Sequence, residues 1–172
     1  MSFKCIPLHA AAGALAFALI LTAVFTAPAR AQLKQQLDLC ASETVTPDVS
    51  IGGCTAAIQS GKLTKKFQAR AFLNRGLGYA HKNDYDRAIA DFSQAVSLDP
   101  NEADAFGNRG IAYELKKDYA HAITDYDQAI RLDPKNAEAL YNRSLAKRAQ
   151  GDKAGAAADL AAAKRINPKI ER

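Results

Sequence analysis

The sequence predicts an all-α solenoid built from helix-turn-helix units, and two observations carry that prediction. One 34-residue unit is written three times: FLNRGLGYAHKNDYDRAIADFSQAVSLDP, FGNRGIAYELKKDYAHAITDYDQAIRLDP and LYNRSLAKRAQGDKAGAAADLAAAKRINP superpose without a gap, and Pro100, Pro134 and Pro168 close them at a constant interval. Within each unit, apolar residues recur at helical spacing on both sides of a short polar break. A fixed period of this length marks an array whose units bury their apolar faces against one another.

The units run 69–102, 103–136 and 137–170. In the first helix of each, the large apolar fourth position is Phe72, Phe106 and Leu140, the small eighth is Gly76, Gly110 and Ser144, and the eleventh is Tyr79, Tyr113 and a discordant Lys147. In the second helix, position twenty is Ala88, Ala122 and Ala156, position twenty-four is Phe92, Tyr126 and Leu160, and position twenty-seven is Ala95, Ala129 and Ala163. This pattern resembles the tetratricopeptide repeat family over residues 69–168, with two good units and one weaker one in phase. The resemblance implies a right-handed superhelix whose first helices line a concave groove, and a protein-binding role without chemistry of its own.

Each element follows from its residues. Positions four, eight and eleven share one helix face, so they form a buried stripe. A glycine at eight and an alanine at twenty let the two helices approach closely. The segments NDYDRA, KDYAHA and GDKAGA break one helix from the next, each with an Asp that caps the second. The proline after that helix prevents its continuation.

Residues 1–31 read as a targeting segment. Lys4 supplies a positive start, residues 10–25 are an apolar run, and Ala29-Arg30-Ala31 is a small-x-small cleavage signal, placing the mature start at Gln32. An uncleaved membrane anchor is the alternative, because the run is only slightly short of a span. Cys5 precedes the apolar run, unlike a lipid-attachment cysteine. The alanine-rich segment has a bacterial character, so the expected location is periplasmic, with secretion or membrane anchoring as alternatives.

Residues 32–66 are less regular and read as a degenerate helical hairpin capping the array, with helices over 32–42 and 49–59 around a connection containing Thr46-Pro47-Asp48. Cys40 and Cys54, one in each helix, are the two cysteines left after cleavage. An oxidising compartment predicts a disulfide between them. The redox or metal alternative lacks a Cys-x-x-Cys and a nearby histidine.

Position seven carries Arg75, Arg109 and Arg143, where the family usually places an apolar residue, and position twenty-three carries Asp91, Asp125 and Asp159. An arginine beside a buried stripe needs a partner. These rows predict structural ion pairs within or between repeats; contacts to a ligand carboxylate are the alternative.

The groove side implied by the resemblance contains Leu73, Asn74, Leu77 and His81, then Asn108, Ile111, Glu114 and Leu115, then Tyr141, Asn142, Leu145 and Arg148. An asparagine amide offers a donor and an acceptor, which suits an extended peptide backbone or, equally, a neighbouring helix. Uncharged position-five residues, with Arg148 the one basic groove residue, do not match the family's carboxylate clamp for chaperone C-termini.

The formal charge is +5, of which Lys4 and Arg30 contribute two, and the charges are interleaved. Nucleic acid is not expected as a partner, nor is stable membrane insertion after cleavage. No nucleophile motif, phosphate loop or metal pattern is present, so the chain is not expected to be an enzyme or to carry a cofactor. The expected partner is a protein or peptide in the groove. The alternative is self-association, a homo-oligomer formed through the alanine-rich last helix.

Overall fold

Proline-ended units with aspartate-capped second helices give a chain of paired helices. The computed structural model describes residues 29–42 and 44–170. Eight helices occupy them: α1 (Ala29–Ala41), α2 (Pro47–Gln59), α3 (Lys65–His81), α4 (Tyr85–Leu98), α5 (Ala103–Leu115), α6 (Tyr119–Leu132), α7 (Ala137–Ala149) and α8 (Lys153–Ile166). The expected targeting segment lies outside the described residues except for Ala29, Arg30 and Ala31, which open α1.

Each helix packs on the next in sequence, most extensively within the hairpins α3–α4, α5–α6, α7–α8 and α1–α2. Among the described residues, α1 touches α3, α3 touches α5 and α5 touches α7, whereas the even-numbered helices do not touch one another. The array therefore curves with its odd-numbered helices on the inner, concave side.

The buried stripes meet inside the hairpins. A Cβ built on Gly76 would stand 2.6 Å from the Phe92 ring, and one on Gly110 would stand 2.8 Å from the Tyr126 ring. These glycines are the seats of the aromatics. In the third unit Leu160 replaces the aromatic, and Ser144 sits fully buried opposite it. Ala88, Ala122 and Ala156, with Ala95, Ala129 and Ala163, are fully or almost fully buried where helices come closest.

The turns repeat as well. Asp84, Asp118 and Asp152 cap α4, α6 and α8 through the backbone N–H groups of Arg87, His121 and Gly155. The residue before each cap is left-handed or nearly so: Asn83 has φ 59°, Lys117 63° and Gly151 92°. Asparagine and glycine tolerate that region at little cost, and lysine does so less readily.

The N-terminal hairpin is a disguised unit of the same kind. Lys82 pairs with Asp48 as Lys116 pairs with Asp86. Arg75 Nη1 donates to Thr55 Oγ1 at 3.2 Å, as Arg109 Nη1 donates to Ser93 Oγ at 3.0 Å. Counted from these acceptors, Cys54 stands where Phe92 and Tyr126 stand, and Ala57 where Ala95 and Ala129 stand. The frame is shifted by four residues because α3 begins one turn earlier, at Lys65, than α5 does in its own unit. Gly53 replaces the aspartate of the later units. A Cβ there would meet Gln36 O at 2.9 Å and Cys40 N at 3.0 Å, so α1 and α2 approach closely, with the Cα atoms of Cys40 and Cys54 4.5 Å apart.

At the opposite end the inter-unit acceptors are gone. Where earlier units present Asp48 or Asp86, and Thr55, Ser93 or Asp127, the last presents Ala154 and Ala161. The third unit thus lacks, on that face, the groups that the internal junctions use.

Candidate functional site

The arginine row lies between the hairpin helices. Arg75 Nε and Nη2 donate to Asp91 at 2.7 and 2.8 Å, Arg109 to Asp125 at 2.8 and 2.7 Å, and Arg143 to Asp159 at 2.8 and 2.6 Å. The third nitrogen of each reaches the preceding unit, at Thr55, Ser93 and Asp127. Each fork thus joins two helices of its own unit and a helix of the one before. The hydrogen bonds they donate to the aspartates raise the guanidinium pKa values of all three. Lys147, discordant in sequence, adds a 2.9 Å contact to Asp159. Burial pushes the Asp159 carboxyl up, but its bonds from Arg143 and Lys147 outweigh that and leave it below the ordinary value.

The twelve groove candidates do not form one continuous strip. Asn74, Leu77 and His81 line a cleft of about 560 Å³ between α3 and the α1–α2 hairpin, shared with Ser42, Val45 and Pro47. Asn108, Ile111 and Asn142 line a second, of about 70 Å³, between α5 and α7. Tyr141, Leu145 and Arg148 line a third, of about 210 Å³, with Leu160 and Ile170. This last is on the terminal face, where a further unit would stack.

The remainder are placed differently. Leu73 packs against the cluster of Ala88, Phe92 and Ala112, and Leu77 shares in it. Glu114 accepts a 2.8 Å hydrogen bond from the Tyr126 hydroxyl, and Leu115 is exposed. The asparagine ladder is uneven: Asn74 and Asn108 are half-buried, while Asn142 is 4 % exposed.

Sequence reasoning overlooked Asp104 and Glu138, which lie in the first turns of α5 and α7 and line the second cleft. Their common second position in the unit was the available signal. Gly107 holds the fifth position of its unit, where the others have Leu73 and Tyr141. A Cβ on it meets nothing within 4 Å, so this glycine leaves open space at the second cleft, where the preceding unit has Leu73. Among the described residues no group of three or more His, Cys, Asp or Glu is placed to hold a metal, and no helix is long and apolar enough to cross a membrane.

Comparison with known proteins gives a consistent picture. Residues 69–102 and 103–136 match a family model described as tetratricopeptide repeat, and residues 125–158 match a second model of the same description. No curated protein matches the chain. Among solved structures, that of MamA is 20% identical with a TM-score of 0.73, covering 90% of this chain and 86% of its own. YrrB, described as a TPR protein with an unusual peptide-binding site, is 18% identical with a TM-score of 0.64, covering 72% and 62%. The second TPR domain of human RPAP3, determined in complex with the HSP70 peptide SGPTIEEVD, is 28% identical with a TM-score of 0.61, covering 63% and 90%. MamA and YrrB, at this identity, are likenesses of fold alone.

Proposed function

The chain belongs to the tetratricopeptide repeat family, and we propose that it is an exported, non-catalytic interaction module that holds an extended peptide or a partner helix on its concave side. The observation that carries this is the pair of clefts on that side, the larger about 560 Å³, where half-buried Asn74 and Asn108 stand beside Leu77 and Ile111. Amide groups next to apolar surface suit a peptide backbone with alternating side chains. Capture from envelope extract tests the reading, using the normal protein beside a folded Asn74→Ala, Asn108→Ala variant. Partners held by the first and lost by the second are expected; partners held equally by both would move binding to another face.

Export is supported by the apolar run and the Ala29-Arg30-Ala31 signal. A Cys40–Cys54 disulfide, with the sulfurs 2.14 Å apart, suits the oxidising periplasm. Intact-mass measurement of exported protein is expected to give a chain starting at Gln32 without free thiols. Retention of residues 1–31, or two free thiols, would count against the respective statement.

Self-association is the second reading. It draws on an exposed stripe of Ala154, Ala157, Ala158 and Ala161 along α8, at the spacing of one helix face. Sedimentation equilibrium separates the readings: a mass that rises with concentration and falls on Ala158→Glu would favour self-association.

A further inference from the structure

The second cleft has a chemical character of its own. Two carboxylates, Asp104 and Glu138, stand at it, and neither has an ionic partner among the described residues. No basic side chain lines it. Asn142 also lines it, and is the buried member of the asparagine row at 4 % exposed, yet its amide has no hydrogen-bond partner among the described residues. The polar atoms of that amide still reach solvent, since no fully buried side-chain nitrogen or oxygen among the described residues lacks a partner, so the amide is open to a group that enters the cleft.

Gly107 lines the cleft without a side chain and with open space where a Cβ would stand, whereas the preceding unit has Leu73 at this position. At about 70 Å³ the cleft has room for the end of one side chain, about twice the roughly 30 Å³ share of a liquid water. Its floor includes Ile111, which suits the methylene stem of a long side chain, and its polar groups suit a charged head. From this juxtaposition we infer that the cleft receives a lysine or arginine side chain of the bound segment, so the groove selects basic peptides. Asp104 and Glu138 supply the charge, and Asn142 supplies a neutral acceptor at depth. The preference is opposite in sign to the protein's own net charge of +5, so it cannot arise from general attraction. It is also opposite to the acidic peptide of the RPAP3 complex. The inference rests on the groove-binding reading above.

The test is selection of a fully randomised library of acetylated, amidated decapeptides on the immobilised full-length protein, followed by sequencing of the retained peptides. Three proteins are compared: the normal chain, Asp104→Asn with Glu138→Gln, and Gly107→Leu. Leucine at 107 meets open space at its Cβ and favours the helix, so the fold is retained, as circular dichroism would verify. The expected result is a several-fold enrichment of Lys and Arg over the input library, absent from both variants. Retained peptides without basic enrichment, or with acidic enrichment, overturn the inference while leaving the groove reading intact. Equal basic enrichment with all three proteins overturns it as well. If no peptide is retained by any of the three, the inference fails together with the extended-peptide form of the groove reading.

Discussion

Arg109 grips Asp125 with two parallel hydrogen bonds, Nη2 to Oδ1 at 2.7 Å and Nε to Oδ2 at 2.8 Å, and so ties α5 to α6 from inside the hairpin. The carboxylate is almost wholly buried, with 4% of its side chain exposed, against 19% for the arginine. Removing one partner strands the other.

Asp125→Ala is therefore expected to destabilise the array by about 2 to 4 kcal/mol, near the lower part of the range for broken buried pairs because the arginine keeps some contact with water. Replacing both partners, as Arg109→Met with Asp125→Leu, is expected to recover much of that loss. Urea unfolding measures both. A single variant as stable as the normal protein would remove the pair's structural role.

Gly110→Leu is expected to cost about 1 to 3 kcal/mol, since even its Cβ would press on the Tyr126 ring. The smaller pair of Gly110→Ser with Tyr126→Leu reproduces Ser144 and Leu160 of the third unit and is expected to lose less than Gly110→Leu. Melting temperatures decide the ranking.

Lys117 holds φ 63° in the turn between α5 and α6, the place Gly151 takes in the last unit. Lys117→Gly is expected to stabilise by up to about 1 kcal/mol, because it relieves left-handed strain greater than the entropy it adds to the unfolded chain. A lower midpoint in urea would contradict this.

Asp159 gives a pH signature. Its folded carboxyl titrates below the unfolded value of about 3.9. The stabilisation is therefore present above that value and lost as pH falls through the folded one. Asp159→Asn is expected to be less stable than the normal protein at pH 7, with the gap narrowing below about pH 4. A gap of constant size in urea unfolding across that window would show that the carboxylate's charge is not involved.

Much of the fold was legible because its determinants are local and recur. Aspartate caps, glycine seats and closing prolines each specify a feature within a few residues, and the 34-residue interval multiplies the signal. The N-terminal hairpin was harder to read. Its frame is offset by the added turn at the start of α3, and Cys54 and Gly53 stand in for the aromatic and the aspartate. What identifies it is the reach of Arg75 to Thr55 and of Lys82 to Asp48, contacts between units that have no local sequence mark.

The concave side was legible by position but not by depth. Asn74, Asn108 and Asn142 share one place in the unit, yet only the last is buried. Leu145 shares its place with Leu77 and Ile111 but lines a cleft with Leu160 and Ile170 of its own unit. The cleft between α5 and α7 is lined by Gly107, whose meaning is the absence of a side chain. Position in a repeat gives the direction of a residue, and the neighbouring unit decides what it meets.

Site-specific photo-crosslinking in living cells tests the concave-binding account most directly, with a benzophenone side chain placed at Leu77, Gly107 or Ala158 in turn. Adducts with another protein from Leu77 and Gly107, and none from Ala158 on the outer face of α8, are predicted. Adducts from Ala158 alone, consisting of a second copy of this chain, would contradict the account and establish the protein as a self-assembling subunit.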